Sequence, residues 1–296
     1  QRIDYLAELG VTCLWLMPFM PTEGRDDGYD ITDYYGVDPR LGDHGDIVEL
    51  IRTAKDRGMR VIMDLVVNHT SHKHPWFVKA RSSKSSPYRD YYVWRDQPPE
   101  DTSEDVVFPD AEDSLWTLDE RTGQYYLHNF LASQPDLNFH EPEVQDELLQ
   151  VCRFWLDRGV DGFRLDTINF YFCDKELRDN PALPPERRDF STAPEVNPYN
   201  WQEHLYDKSR PEMIGFLQRM RALMDEYPSI AAVGEVGDVR GEAQPGQCRL
   251  RVAGGELSAL DGLGQGLLDP GASGVDGRGV DLGDDDVAAG LREHLG

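Results

Sequence analysis

One unit recurs through the first 238 residues: an amphipathic helix, a Gly or Pro break, then a short apolar strand. Residues 2–9 put Ile3, Leu6 and Ala7 on one helical face, stop at Gly10 and lead into VTCLWLMPF. Residues 46–57 repeat the pattern with Ile47, Leu50, Ile51 and Ala54, then Gly58 and RVIMDLVVNH. Pro142 suits a first helical turn; Val144, Leu148, Val151 and Trp155 follow, then Gly159 and VDGFRLDTINF. A fourth helix is expected from Pro211, with Met213, Phe216, Leu217, Met220 and Leu223, closed by Tyr227 and Pro228 before SIAAVGEVGD. Strands apolar at nearly every position need cover on both faces, which intervening helices supply. The chain therefore predicts a parallel α/β sheet.

An open doubly wound sheet and a barrel share this local pattern. Two features favour the barrel. No Gly-rich phosphate loop follows any strand, and polar residues gather at the strands' carboxyl ends, where barrel enzymes carry their chemistry. The expected fold class is thus α/β, part of a (β/α)8 barrel. Residues 1–69 form its first part and 142–238 its second. Between them, residues 70–141 are too long for a connector and rich in Tyr, Trp, Asp and Ser, which reads as an inserted subdomain beside the site. Residues 239–296 differ in kind: they hold no aromatic, Lys or Met, and just over half of the chain's 27 glycines. Such a stretch buries too little apolar surface to offset its ordering entropy, and it is read as a Gly/Asp-rich tail, disordered or out of frame.

A net charge of −25 would repel nucleic-acid phosphates. No apolar run approaches the roughly 18 residues of a membrane span, so a soluble, cytoplasmic protein is expected. Cys13, Cys152, Cys173 and Cys248 lie far apart without a CxxC pair, pointing to reduced thiols rather than a disulfide framework or metal cluster.

The chemistry-bearing residues sit at strand ends. Alternation along VDGFRLDTINF puts Phe163 and Leu165 on one face and Arg164 and Asp166 on the other. That pair serves either as a structural ion pair or as a carboxylate held ionised and aimed. Glu235 ends the next apolar run between Gly234 and Gly237, which leave room for a ligand; apolar neighbours would raise its pKa as a general acid requires. Two such carboxylates on neighbouring strands match the pair, about 5 Å apart, of a retaining glycosidase. Asp64 is read as structural, holding loops by hydrogen bonds. His69, after Asn68, is either a satisfied loop histidine or a donor to a substrate hydroxyl, and no second His stands at metal-ligand spacing. Asp26 and Tyr29 form either a polar turn or a sugar-contacting rim, an aromatic face beside carboxylates.

Together these segments resemble the α-amylase family of glycoside hydrolases, in its α-glucosidase and oligo-1,6-glucosidase branch. DLVVNHTS resembles the family's first conserved region, GVDGFRLDT its second and VGEVGD its third, while QPDLN at 134–138 resembles a region typical of the branch. The resemblance implies a TIM-type barrel, represented here by about strands 2 to 5, with domain B inserted after the third barrel strand. It makes Asp166 the nucleophile, Glu235 the acid/base and Arg164 the residue that orients the nucleophile. His69, Asp26 and Tyr29 would line the subsite for the non-reducing glucose, with Asn68 and Asp64 in support. Thr167, directly after the nucleophile, accompanies α-1,4 preference in this branch, where Val accompanies α-1,6. The implied partner is a small oligosaccharide or α-glucoside of maltose-like type, with no cofactor.

Trehalose synthases share the HPWF segment at 74–77 and QPDLN, which makes maltose–trehalose isomerisation the second reading. A non-catalytic sugar-binding relative is the alternative of another class, and retention of both carboxylates argues against it. The family's first barrel strand, and its fourth conserved region with a second His and a transition-state-stabilising Asp, are not found in these residues. Low activity is therefore expected of this chain alone. A structural calcium or magnesium ion, placed by the resemblance in a loop after that first strand, would lie outside it.

Overall fold

The computed structural model describes residues 2–97, 105–188 and 196–236, together with the backbone of 250–252, 255–257 and 260–261. Four helix–strand units follow the expected order. Helix α1 (Ile3–Glu8) precedes β1 (Cys13–Leu16), α2 (His44–Lys55) precedes β2 (Arg60–Leu65), and the sheet β3 (Trp94–Arg95), β4 (Trp116–Asp119) and β5 (Gln124–Leu127) comes after α3 (Pro75–Ala80). Then α4 (Pro142–Leu156) leads to β6 (Gly162–Leu165), and α5 (Met213–Met224) to β7 (Ala231–Val236). In the first, second and third of these units the break between helix and strand falls on a glycine in the left-handed region, with φ of 85° at Gly10, 77° at Gly58 and 95° at Gly159; in the fourth, Ser229 takes that conformation, at 59°. A β-branched or bulky residue would be strained there.

Helix bounds differ by a few residues from the sequence reading. α2 begins two residues earlier because Asp43 caps it: its side chain accepts from Gly45 and Asp46, while Asp46 accepts from the Asp43 N–H. α5 begins at Met213, since the N–H groups of Met213 and Ile214 make only single turns back to Arg210 and Pro211.

The main sheet is parallel, in the order β1-β2-β6-β7 with the backbone pair Leu260–Asp261 at its end, beside Glu235 and Val236. Neighbours in space are neighbours in chain order of the parallel strands, as staves of a barrel are. β2 is buried from Val61 to Leu65, which explains why it is apolar at every one of these positions but Asp64. The β6–β7 pair is close enough that a Cβ at Gly162 would lie 1.9 Å from the Ala231 carbonyl oxygen. α4 covers the sheet through Val144, Leu148, Val151, Cys152, Trp155 and Leu156. Trp155 is fully buried, edge-on to Phe19 at 5.1 Å, and donates its indole N–H to the Tyr34 carbonyl at 2.9 Å. Burying a side chain of this size contributes roughly 2–3 kcal/mol or more, provided the N–H keeps its acceptor.

Within residues 70–141 lies the antiparallel sheet β3-β5-β4. Phe77, Tyr92, Tyr126, Leu137 and Phe139 of this stretch belong to the same apolar core as β2, α4 and β6. A smaller cluster of Val106, Leu115, Trp116 and Leu127 packs against Cys173 and Leu177 from the excursion between β6 and α5. The insert is thus welded to the sheet on one side and covered by a second excursion on the other. The tail reading for 239–296, apart from the three short strands, lies outside the described residues, as does Gly237. Among the described residues no helix is long and apolar enough to cross a membrane.

Candidate active site

Strand register builds the site. Asp64 on β2 stands directly opposite Arg164 on β6, and Leu165 stands opposite Gly234 on β7. One step further, at the carboxyl ends, come Asp166 and Glu235. Arg164 reaches all three carboxylates: Nη1 lies 2.7 Å from Asp64 Oδ1 and 2.6 Å from Asp166 Oδ1, and Nη2 lies 2.8 Å from Glu235 Oε2. Three acids on one guanidinium leave the cluster short of positive charge. Asp166 is nearly buried, and burial lifts its carboxyl to about 7; the charges of Asp64 and Glu235 add to this and Arg164 opposes it. Burial also pushes Asp64 upward, against the pull of Arg164 and of donors Tyr29 and Trp15.

The nine residues singled out in the sequence are joined by one continuous chain of hydrogen bonds. Tyr29 donates its N–H to the Asp26 carbonyl at 2.7 Å and its hydroxyl to Asp64 Oδ2 at 3.0 Å. His69 Nε2 is 3.1 Å from the Tyr29 carbonyl, and Asn68 Nδ2 is 3.4 Å from His69 Nδ1. Beyond Arg164, Thr167 Oγ1 donates to Asp166 Oδ2 at 3.3 Å and the Thr167 N–H donates to Glu235 Oε2 at 3.1 Å.

Three expectations change. Asp64 holds the Arg164 clamp and the Tyr29 hydroxyl, and Trp15 donates to it at 3.3 Å, so it belongs to the charged centre rather than to a loop scaffold. Glu235 is about half exposed and ion-paired, not set among apolar neighbours, because its strand end opens at the rim. Gly234 makes room for the protein itself: a Cβ there would lie 3.2 Å from Ile168 Cδ1. His69 is buried with both ring nitrogens against protein partners, and burial lowers its pKa to about 4, which keeps it neutral.

Residues to which the sequence reading gave no individual role complete the rim. Gln134, fully buried, donates to Asp26 Oδ2 at 2.7 Å across 108 residues. Asp136 accepts from Asn68 Nδ2 at 3.3 Å and from the Asn129 side chain, and a backbone bridge pairs it with His69. The QPDLN segment therefore fastens the first motif to the Asp26–Tyr29 loop, a role its motif character signalled but whose partners only contact reveals. Phe130 stands edge-on to His69 at 5.5 Å and leans on Phe170 at 5.4 Å, an aromatic wall beside the histidine. A cavity of about 440 Å³ between β3, β5 and the 173–177 segment does not reach Arg164. Its Trp94 carries the Arg89 guanidinium over one ring face and lies parallel to Phe77 at 5.7 Å.

A conserved-domain profile described as alpha amylase, catalytic domain, matches residues 1–245. A probable alpha-glucosidase of Rhizobium meliloti (strain 1021) is 58% identical over 237 residues, which are 80% of this chain and 43% of that protein. A trehalose synthase of Pimelobacter sp. (strain R48) is 48% identical over 172 residues, 58% of this chain and 30% of that protein. Among solved structures, the alpha-glucosyl transfer enzyme XgtA superposes with a TM-score of 0.75 at 44% identity, over 80% of this chain and 45% of that one. The chain spans less than half the length of these relatives, and its parallel strands are part of the TIM barrel of such enzymes. With that profile covering most of its length, the chain belongs to the alpha-amylase family of glycoside hydrolases.

Proposed function

We propose that these residues carry the nucleophile and acid/base of a retaining site for short α-glucosides. The observation that supports it is the pair Asp166 and Glu235 on the two Nη atoms of one guanidinium, at the ends of adjacent parallel strands. Carboxylates so close suit double displacement, which needs about 5 Å, better than inversion, which needs room for a water between them. Asp166 attacks the anomeric carbon while Glu235 protonates the departing oxygen; Glu235 then takes a proton from the water that releases the sugar. Protonating Glu235 removes one of the charges that hold Asp166 up, so arming the acid also makes the nucleophile easier to ionise. Arg164 holds both in place, and Asp26, Tyr29 and His69, braced by Asn68 and Asp64, shape the glucose subsite.

Thr167 beside Asp166 supports maltose-like, α-1,4-linked substrates over α-1,6. The 48% identical trehalose synthase supports the second reading, in which the glucosyl group passes to a sugar instead of water. The test is release of p-nitrophenol from p-nitrophenyl α-glucoside by the 296-residue chain and by Asp166→Asn. Slow release that depends on Asp166 is expected; equal release by both proteins would sink the proposal. Products from maltose, glucose against trehalose, separate the two readings.

A further inference from the structure

We infer that Thr167 is a positioning residue that couples the two carboxylates through its backbone as well as its side chain, an inference that rests on Asp166 and Glu235 being the working pair. The geometry begins with the strand. In β6 successive N–H groups point to opposite neighbours, and Asp166 donates its N–H to Leu65 O of β2 at 3.2 Å. The next N–H, that of Thr167, therefore faces β7. There the chain turns, with Thr167 at φ 41° and ψ 43° before the turn Ile168–Phe170. Its N–H meets the Glu235 carboxylate at 3.1 Å in place of a backbone carbonyl.

The same turn carries Oγ1 back to Asp166 Oδ2 at 3.3 Å. One residue thus donates to both acids, from two bonds whose relative direction its backbone sets. A β-branched residue at positive φ is rarely found, and here the next residue holds it: Ile168 is buried and packs over Gly234, where an added Cβ would lie 3.2 Å from its Cδ1. A left-handed backbone that only tertiary packing maintains, at a point touching both carboxylates, marks a site where geometry is set for chemistry.

The groups facing Asp166 besides Thr167 are Arg164 on its own strand, Asp64 on β2 and Glu235 on β7, with Tyr29, Tyr34 and Tyr171 also sensing its charge. Of these, Thr167 can be changed without altering the charge of the cluster. The experiment is carboxyl titration by NMR in the 296-residue chain, with the Asp166 signal assigned by its loss in Asp166→Asn. Thr167→Val keeps the shape and removes the hydroxyl, and is expected to raise the Asp166 midpoint by about half a pH unit, a threefold tighter proton. Thr167→Ser restores it. The backbone arm needs no change at 167: the amide of Thr167 is expected to shift with pH in the wild type and to lose its Glu235-linked step in Glu235→Gln. An Asp166 midpoint equal in Thr167→Val and wild type, or a Thr167 amide indifferent to Glu235→Gln, overturns the inference. Failure of the wild type to cleave any α-glucoside would instead strike the proposed function and leave both titrations standing.

Discussion

The strands β2 and β6 carry an acid–base cluster at each end, and the two are built on opposite principles. At the amino end Asp161, nearly buried, faces two cations, Arg60 at 3.0 Å and Lys55 at 3.2 Å, and also accepts the Val61 N–H at 2.9 Å. At the carboxyl end a single Arg164 faces three acids. The first cluster is oversupplied with donors and closes a β2–β6 seam. The second is undersupplied, so a proton enters easily and Asp166 sits near neutrality. Charge balance, rather than the presence of ion pairs, separates architecture from chemistry in this sheet.

The largest effect should come from Asp166→Asn, which removes the proposed nucleophile. Release of p-nitrophenol should fall about 10³-fold or more, measured as kcat/KM. Asp161→Ala should leave that rate within a few-fold, and equal losses at both ends would break the contrast.

Next comes Arg164→Met, which leaves Asp64 and Asp166 buried without their cation. A loss of about 3–5 kcal/mol in urea unfolding at neutral pH is expected, as for other broken buried pairs. The loss should shrink towards pH 4, where the carboxyls take up protons. Asp161→Ala is expected to cost less, about 1–3 kcal/mol, through the orphaned Val61 N–H. Its ion pairs add little, since the Arg60 and Lys55 side chains are largely in water.

The last test is the pH dependence of stability. Asp166 is raised from 3.8 to about 7, so the folded chain keeps a proton that the unfolded chain gives up between those values. The stability from this proton is complete below about pH 4 and is lost as pH rises towards 7. The buried His69 and His128, both pushed down to about 4, work the other way by penalising the fold as pH falls below 6.5. The wild type compared with Asp166→Asn isolates the first effect. The urea midpoint of the wild type should drop relative to the variant from pH 4 to pH 7, and parallel curves would place Asp166 outside the charge-poor cluster.

Much of the site could be read from local pattern. Arg164 and Asp166 share a face because side chains alternate along a strand, a rule that holds whatever the neighbours are. The motif around Asn68 and His69 and the run ending in Glu235 lie at strand ends for the same reason: apolar stretches stop where the sheet does. Partners were not readable. That Asp64 meets Arg164 depends on the β2–β6 register, and that Gln134 holds Asp26 depends on a fold-back of 108 residues. Glu235 reads as an acid in apolar surroundings until its strand end is seen open to solvent and facing Arg164.

By itself, the sequence determined the helix–strand alternation, the glycine breaks at 10, 58 and 159, the parallel sheet and the face on which Arg164 and Asp166 stand. These follow from periodicity and backbone sterics, which act within a few residues. Only the tertiary structure decided how many carboxylates share the guanidinium, which nitrogen of His69 meets Tyr29, and that Thr167 turns left-handed over β7. Register, burial and the close packing of Ile168 over Gly234 set those features, and each is a property of strands brought together rather than of either strand alone.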